Sequence, residues 1–315
     1  MTSPFTLVDV GARGGIDRRW HRFARHLSVV AIEADESAES GSNTPYLVFK
    51  RIRTAVSNKA GTADFYFTRK PEVSSFLPPN RPLLERFPDA NRFDVVRVAK
   101  MEMTTLDVVL QEHAVDNVDF LKVDTQGSEL LILEGGTRAL ASAVGLEVEV
   151  DFIPLYQGQC LFSDVDTFLK RYGFELFDLN RFYWRRRIAH HTETGRGQLV
   201  FADALYLKTP ERLCSDGVGP MGKEKILWKT VIVAGAYGLF DYAFEVLREG
   251  WERGMINETE KEMAVQSLNQ VGLGQSIRLK FPGREKVVRV LEKVCEVLRR
   301  DSWVYTDGRL ANSRK

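Results

Sequence analysis

A glycine-rich turn near the N-terminus is the first place where residue types and spacing favour ligand binding. The stretch 8–15 reads VDVGARGG and follows an apolar run that is typical of a buried strand. Glycine has no Cβ, so a turn of this kind lets the backbone approach a bound molecule closely. In open α/β sheets, ligands bind at the carboxyl ends of the strands. We therefore expect a cofactor-binding loop made of Gly11, Ala12, Arg13, Gly14 and Gly15.

Two carboxylates beside this turn indicate which cofactor it binds. Asp9 precedes Gly11 by two residues, where its charge would repel a pyrophosphate but attract the ammonium of a methionine moiety. Glu33 ends the second apolar run, where an acid can accept hydrogen bonds from both ribose hydroxyls. The glycines also lack the GxGxxG spacing of dinucleotide-binding loops. These features predict S-adenosylmethionine, with Ala34 and Val56 in the same site. The alternative is an ordinary strand-to-helix turn, with Asp9 as a helix cap and Glu33 as a solvated charge.

A second cluster, FLKVDTQGSE at residues 120–129, places polar groups where another buried strand ends. Lys122 lies within the strand, Asp124 ends it, and Gln126 lies in the turn that opens the next helix. Strand four lies beside strand one in a doubly wound sheet, so we expect Asp124 to face the reactive end of the cofactor. Asp124 is therefore the first candidate to orient or deprotonate a substrate hydroxyl, and Gln126 is a candidate substrate contact.

The longer segment 120–136, FLKVDTQGSELLILEGG, resembles the hallmark segment of the FkbM family of methyltransferases. The resemblance extends in order from about residue 5 to about residue 207, through VDVGARGG, VVAIEAD, TAVSNKAGTADFYF and VEVDFIPLYQGQCLFSDVDTFLKRYGFELFDL. It implies an α/β class I methyltransferase (Rossmann-like) fold, with a doubly wound sheet of seven strands whose last strand is antiparallel. It also implies S-adenosylmethionine as methyl donor and methylation of oxygen. The acceptors it implies are sugars, glycolipids and polyketide-type natural products.

Individual positions can be matched to this family's motifs. The resemblance assigns cofactor contacts to Asp9, Gly11, Gly15 and Glu33, and the acid at the end of strand four to Asp124. One position departs from the pattern, because the family's loop more often reads Gly-Ala-Asn and this chain has Arg13 in place of the asparagine. Arg13 could reach the cofactor carboxylate or an anionic group of the substrate.

Three acids alternate with apolar residues on predicted strand five: Glu147, Glu149 and Asp151. The period of two puts them on one face, although a strand inside a parallel sheet is normally apolar on both faces. They need a role, because burying a charge is costly unless it is paired or neutralised. Pairing with Lys122 or Arg138 is one explanation. The others are binding of substrate hydroxyls by Asp151, base catalysis by Glu149, and a divalent metal held with Asp124. No metal is predicted as a resident cofactor.

Aromatic and basic residues are concentrated after predicted strands five and six. Tyr156 follows strand five, and the stretch 181–187, RFYWRRR, follows strand six. Strand six is parallel and strand seven antiparallel, so their connection lies on the cofactor-binding side. We expect Tyr156, Tyr183 and His190 to contact a sugar-like acceptor, including one that carries phosphate. The alternative is a solvated basic hairpin, with His190 in an ordinary loop. The segment 74–76 is a candidate for the substrate wall.

The elements that must position these residues alternate between strand-like and helix-like segments over the first two hundred residues, which favours a mainly parallel sheet covered on both faces. The pattern changes after residue 209, so we predict a methyltransferase domain at 1–209. A linker rich in glycine, proline and charge follows at 210–224. Helical periodicity then predicts a C-terminal helical appendage at 225–315. Single helices are predicted at 16–26, 128–140, 226–249, 258–270 and 285–300, and a single strand at 46–56.

Composition narrows the functional classes. The 44 basic residues nearly balance 43 acidic ones, which argues against a dedicated nucleic-acid binder. No apolar run reaches the roughly 18–20 residues that a membrane span needs, and we expect no signal peptide. The three cysteines are too widely spaced for an obvious disulfide framework. We therefore expect a cytoplasmic enzyme with a small-molecule or glycan acceptor. Its C-terminal helices are candidates to form a homo-oligomer or to bind a glycan-assembly partner.

Two other functions stay open at the level of sequence. An NAD-dependent oxidoreductase or nucleotide-sugar enzyme would also use Glu33, but the chain lacks the phosphate fingerprint. It also lacks a Tyr-x-x-x-Lys pair, because Cys160 follows Tyr156 at that spacing and Arg187 follows Tyr183. The second is a non-catalytic methyltransferase-like scaffold for assembly.

Overall fold

A large mixed sheet forms the centre of the molecule and positions the candidate site. The computed structural model describes residues 4–35, 44–189, 197–214, 222–275 and 303–306. Within these ranges the strands are β1 (Phe5–Val10), β2 (Leu27–Glu33), β3 (Val48–Arg53), β4 (Ala55–Ser57), β5 (Gly61–Thr68), β6 (Val95–Thr105), β7 (Phe120–Val123), β8 (Gly145–Asp151), β9 (Phe174–Trp184), β10 (Gln198–Lys208) and β11 (Val304–Thr306).

The main sheet has the strand order β3-β2-β1-β7-β8-β10-β9-β11. β1 pairs in parallel with β2 on one side and β7 on the other, so that Asp9 lies between Ala31 and Lys122. β10 runs antiparallel to both β8 and β9. This order confirms the predicted doubly wound class I arrangement of seven strands with the last one antiparallel. The short β11 adds an eighth, edge strand from a region where the sequence predicts only helices.

A second, three-stranded sheet has the order β4-β6-β5. The single strand predicted at 46–56 is wrong, because the chain leaves the main sheet at Thr54 and enters the second sheet as β4. The first eight or so residues of β6 escape sequence-based prediction. The first four residues of the strand are all exposed, and the alternation of exposed and half-buried positions that follows is short. The second sheet closes one side of the candidate site.

Helices cover both faces of the main sheet. The α-helices in the described ranges are α1 (Arg81–Leu84), α2 (Leu106–Glu112), α3 (Glu129–Glu134), α4 (Thr137–Ser142), α5 (Phe162–Arg171), α6 (Pro210–Cys214), α7 (Lys223–Tyr237), α8 (Phe240–Glu252) and α9 (Glu258–Gln275). Short 3-10 helices lie at Arg18–His26, Pro71–Val73, Ala90–Phe93 and Arg187–Ala189. Among the described residues, no helix combines the length and apolarity that crossing a membrane requires.

Three predicted helices differ from the observed ones. The segment 128–140 forms two helices that are separated at Gly135 and Gly136. Only glycine fits at residue 135, because a Cβ there would lie 2.1 Å from the Ser57 carbonyl oxygen. The segment 226–249 is divided at Gly238, which ends α7 with a φ of +73°. The segment predicted at 16–26 is a 3-10 helix that begins at Arg18. The helix predicted at 285–300 lies outside the described residues.

The C-terminal helices share a core with the face of the sheet opposite α2–α5. Trp20 packs between Phe120 of β7 and Tyr237 of α7, with ring centroids 5.1 and 6.0 Å away. The Lys229 ammonium of α7 donates a buried hydrogen bond to the Asp119 carboxylate at 2.6 Å. The segment predicted as a linker contains α6. The predicted domain boundaries themselves stay a prediction.

Candidate active site

A cavity of about 320 Å³ opens where β1, β2 and β7 end. After β1 the sheet continues with β2 on one side, and after β7 it continues with β8 on the other side. The cavity therefore lies where the strand order reverses, which is where open α/β sheets bind their ligands. Its volume is at the lower end of the roughly 300–1,000 Å³ usual for small-molecule sites. It is lined by Val10, Gly11, Arg13, Ile32, Glu33, Ala34, Asp35, Thr54, Ala55, Val56, Phe65, Pro71, Glu72, Ser74, Phe76, Asp124, Thr125, Gln126, Ser128 and Ile132.

The floor of the cavity is the tight turn after β1. Gly11 has a φ of +82°, and its amide donates to the Ile32 carbonyl at 2.9 Å. A Cβ at this position would lie 1.8 Å from the Asp124 carbonyl oxygen. The turns after β1 and β7 therefore touch, and they can do so only because residue 11 is glycine.

The rim next to β2 carries charge. Glu33 is 8% exposed, lines the cavity, and accepts a hydrogen bond from the Asp35 amide at 2.9 Å. Arg13 and Asp35 form an ion pair at the cavity wall. Arg13, which replaces the asparagine more common in the family's loop, therefore places its guanidinium in the wall of the site, where the Asp35 carboxylate holds it.

A lysine links the acids beneath the cavity. Lys122 Nζ lies 3.6 Å from Asp9 Oδ1 and 3.6 Å from Asp124 Oδ2. Asp9 is 2% exposed and does not line the cavity. Burial raises the pKa of Asp9 to about 6, although the Lys122 charge opposes that shift. The structure thus places Asp9 under the loop, in contact with Lys122.

One amide joins the two candidate catalytic acids. Gln126 Nε2 donates to Asp124 Oδ1 at 3.2 Å and to Glu149 Oε1 at 2.9 Å. The Tyr156 hydroxyl lies 3.3 Å from Gln126 Oε1. Gln126 has a φ of +58°, and Ser75 Oγ donates to its carbonyl at 2.7 Å. This left-handed backbone costs about 1–3 kcal/mol and persists where surrounding contacts impose it, a feature typical of active sites.

The acids of β8 share one face, as predicted, but their contacts differ along the strand. Glu147 accepts a hydrogen bond from the Tyr237 hydroxyl at 2.7 Å. Burial raises the pKa of Glu149 well above its usual range, and the neighbouring Asp124 and Asp151 charges add to that shift. Burial likewise raises the pKa of Asp151, whose carboxylate accepts from Gln159.

The explanation by pairing with basic residues applies only in part. Glu147 lies 3.8 Å from Arg19, a partner that the sequence did not suggest. Lys122 pairs with Asp9 and Asp124, and Arg138 lies against Asp107. In the part of the chain that the structure describes, no group of three His, Cys, Asp or Glu side chains is arranged to hold a metal ion.

The structure brings some of the predicted residues together and separates others. Gly11, Arg13, Glu33, Ala34, Val56, Asp124 and Gln126 all line the cavity. The predicted residues that lie outside its lining are Asp9, Ala12, Gly14, Gly15, Glu149, Asp151, Tyr156 and Tyr183. Ser74 and Phe76 of the predicted substrate wall do line it, while Ser75 is buried behind them. His190 lies outside the described residues.

Sequence reasoning missed several lining residues. Thr54 and Ala55 precede the predicted Val56, and Thr125 and Ser128 flank the predicted Gln126, so adjacency alone would have suggested these four. Phe65, Pro71 and Glu72 come from β5 and the segment after it, and no pattern in the sequence indicates that the second sheet folds over the site.

These residues fit S-adenosylmethionine. Apolar walls from Ile32, Val56 and Ile132 suit an adenine ring, and Glu33 stands where a carboxylate can hold ribose hydroxyls. The absence of a side chain at Gly11 lets the turn after β1 pack directly on the turn after β7, so that both turns border the site. The lining is acidic around the ends of β2 and β7, which suits a ligand that carries a sulfonium and an ammonium.

Comparison with known proteins gives the family. The model of the methyltransferase FkbM domain matches residues 9–176, more than half of the chain. No curated protein matches. Solved structures that are similar include a TehB-like S-adenosylmethionine-dependent methyltransferase from Corynebacterium glutamicum, with 11% identity, 66% of this chain and 82% of that one covered, and a TM-score of 0.30. A putative tRNA (m1A22) methyltransferase from Streptococcus pneumoniae has 12% identity, 86% and 93% coverage, and a TM-score of 0.29.

These low TM-scores support no argument about function, so the assignment depends on the family match and on the site. The family match also removes the NAD-dependent alternative. The chain belongs to the FkbM family of methyltransferases, and S-adenosylmethionine is its cofactor.

Proposed function

We propose that this methyltransferase methylates a hydroxyl oxygen of a sugar, glycolipid or natural-product acceptor. The observation that carries the proposal is the pair of acids, Asp124 and Glu149, held by the single amide of Gln126 beside the cofactor cavity. A hydroxyl must lose a proton when it is methylated, and a positioned carboxylate is the group that can accept that proton.

The roles of the two acids differ because their surroundings differ. Asp124 lines the cavity, so its carboxylate is the one that meets the acceptor hydroxyl. Glu149 lies behind Gln126 and accepts a hydrogen bond from its amide, the same amide that donates to Asp124. Asp124 therefore orients the oxygen and takes its proton, and Glu149 positions Asp124 through Gln126.

The bound cofactor supplies an electrophilic methyl group on its sulfonium. In this transfer the acceptor hydroxyl would exchange its proton, taken by the Asp124 carboxylate that lines the cavity, for the methyl group that the cofactor would supply. Because the methyl group is already activated, much of the catalysis depends on positioning the oxygen. Good orientation of two reactants can lower an activation barrier by up to about 7–11 kcal/mol.

The walls of the cavity support a hydroxyl-bearing acceptor. Phe65 and Phe76 line the cavity, as do Ser74 and Thr125, whose hydroxyls hydrogen-bond with Thr68 and Glu129 respectively. Apolar faces combined with a few placed polar groups are typical of small-molecule sites. This combination suits the apolar faces and the hydroxyl edges of a sugar ring.

The test uses calorimetry and a methyl-transfer assay on the full chain. We expect S-adenosylmethionine to bind, Glu33→Gln to weaken that binding, and Glu149→Gln to leave it unchanged while lowering kcat. The matched control is Glu252→Gln, an exposed acid of α8. Products from a panel of sugars and glycolipids are then analysed for the methylated atom. Methylation at nitrogen or carbon, or an unaltered kcat in Glu149→Gln, would contradict the proposal.

A further inference from the structure

An aromatic cluster covers the carboxyl edge of the main sheet beside the candidate site. Its members, which we call the rim cluster, are Phe87, Phe93, Tyr156, Trp184 and Trp303. Trp184 ends β9 and contacts the other rings at 5.3 Å for Phe87, 6.4 Å for Phe93 and 5.4 Å for Trp303. The cluster therefore joins the segment after α1 to the end of β9 and to the residue that precedes β11.

Arg92 lies within this cluster. Its guanidinium carbon is 4.7 Å from the Trp184 ring centroid, 4.9 Å from that of Phe93 and 5.0 Å from that of Trp303. Asp89 acts on the pKa of Arg92 through space, but the described residues include no acid within ion-pair distance of its guanidinium. An arginine stays protonated under all ordinary conditions, so the cluster contains an unneutralised positive charge.

Two nitrogen donors of the cluster have no acceptor. Arg92 Nε and Trp184 Nε1 are both buried, and neither has a hydrogen-bond partner among the described residues. Buried donors are nearly always satisfied in native proteins, and those that are not call for a specific explanation. A ligand that brings acceptor oxygens to this cluster would provide one.

The rim cluster is connected to the proposed catalytic acids. Tyr156 packs 6.0 Å from Phe93 by ring centroids, and its hydroxyl lies 3.3 Å from the Gln126 amide oxygen. That same amide holds Asp124 and Glu149. Tyr156 is buried and does not line the cavity, so an acceptor that places a hydroxyl at Asp124 must extend past Tyr156 to reach the rim cluster.

The surroundings of the cluster are basic. Arg186 stacks 4.6 Å above the Phe87 ring, and Arg187 donates to the Phe87 carbonyl at 3.1 Å. Together with Arg92, whose own segment also carries Asp89, they place three guanidinium groups around the cluster.

We propose that Arg92, with the rings of Trp184 and Trp303, forms a subsite for a negatively charged group of the acceptor, a phosphate or a carboxylate. The inference rests on the proposed function, because it assigns part of the acceptor. A guanidinium presents planar paired donors that match both anions, and the aromatic walls lower the local dielectric and strengthen the bond. The acceptor is then a sugar phosphate or an acidic sugar rather than a neutral one.

The experiment compares three probes that share one ring: glucose, glucose 1-phosphate and glucuronate. Each is titrated into the full-length protein by calorimetry, and tryptophan fluorescence is followed in parallel because Trp184 and Trp303 contact Arg92. The variants are Arg92→Met and Arg92→Lys. Arg97→Met is the matched control, since the exposed Arg97 stacks 3.6 Å above a single ring, that of Phe67, in the second sheet.

We expect one anionic probe to bind at least about tenfold more tightly than glucose, the size of effect that a charge-assisted hydrogen bond produces. Arg92→Met should abolish this preference, Arg92→Lys should restore it in part, and Arg97→Met should leave it unchanged. Preference for glucose 1-phosphate identifies a phosphate subsite, and preference for glucuronate a carboxylate subsite. Equal affinity for all three probes, or an anion preference that survives in Arg92→Met, would overturn the inference.

Failure of this inference differs from failure of the proposed function. The subsite is measured by binding of probes without methyl transfer, and cofactor affinity in Arg92→Met shows that the variant is folded. Equal affinity of the wild-type protein for all three probes, together with O-methylation of a neutral acceptor, removes the subsite alone.

Discussion

Substituting Gly11 by alanine should separate the two turns that form the floor of the cofactor site. The new Cβ would stand 1.8 Å from the Asp124 carbonyl, whereas Cβ contacts closer than 3.0 Å essentially never occur, so the turns must move apart by at least about 1.2 Å. The positive φ adds about 1–2 kcal/mol of strain to any side chain. A misplacement of about 1 Å in an active site can cost roughly a hundredfold in rate. We therefore expect kcat/KM to fall at least about a hundredfold and cofactor affinity to fall with it.

The control for this substitution is Gly254→Ala, in the turn between α8 and α9. Gly254 has a φ of +69° but no atom of the described residues within 4 Å of an added Cβ, so this variant carries the strain without the clash. Both variants should lose some thermal stability, and only Gly11→Ala should lose cofactor binding by calorimetry. Wild-type cofactor affinity in a folded Gly11→Ala protein would refute the argument that contact between the two turns forms the site.

Two further predictions concern buried charges. Lys229→Met removes one partner of the 2.6 Å ion pair with Asp119, in which the side chains are 5% and 1% exposed. It should lower the free energy of unfolding in urea by about 3–5 kcal/mol, and adding Asp119→Asn should recover part of the loss; a change under about 1 kcal/mol would show that the pair does not hold α7 to the sheet. Burial raises the pKa of Glu129 from 4.5 to about 7, so its contribution to stability is present below pH 4.5 and is lost as pH rises through about 7. The loss is about 3 kcal/mol at most, and a Glu129→Gln variant with the same pH dependence as the wild type would contradict it.

The parts of the fold with local signals could be predicted from sequence. Strands β1 and β7 are mostly apolar because both of their faces are buried, with Asp9 and Lys122 as the charged exceptions, and a glycine or an acid marks where each strand ends. Gly11, Glu33 and Asp124 could be assigned to the cofactor site for the same reason, since each directly follows or ends such a strand.

The features of the fold and the site that could not be predicted depend on contacts between segments that are distant in the sequence. Nothing local to Thr54 indicates that the chain changes sheets there, and the start of β6 is hard to recognise because its exposed positions carry valines. Residue 135 has to be glycine because Ser57 approaches it from 78 residues away in sequence. Glu149 lies behind Gln126 rather than in the cavity, and the position of an amide side chain cannot be read from spacing.

During synthesis, one side of β1 stays uncovered until α7 has been made, because α7 packs in the same core. Phe5 and Tyr237 belong to the same core, yet 232 residues separate them along the chain. A ribosome that adds about 5–20 residues per second needs roughly ten to fifty seconds to cover that distance. Throughout that time, one apolar side of β1 lacks the helix that packs on it in the folded protein. A nascent chain that ends before α7 therefore exposes the apolar side chains of Phe5, Leu7 and Phe120, and becomes a substrate for chaperones rather than a smaller enzyme.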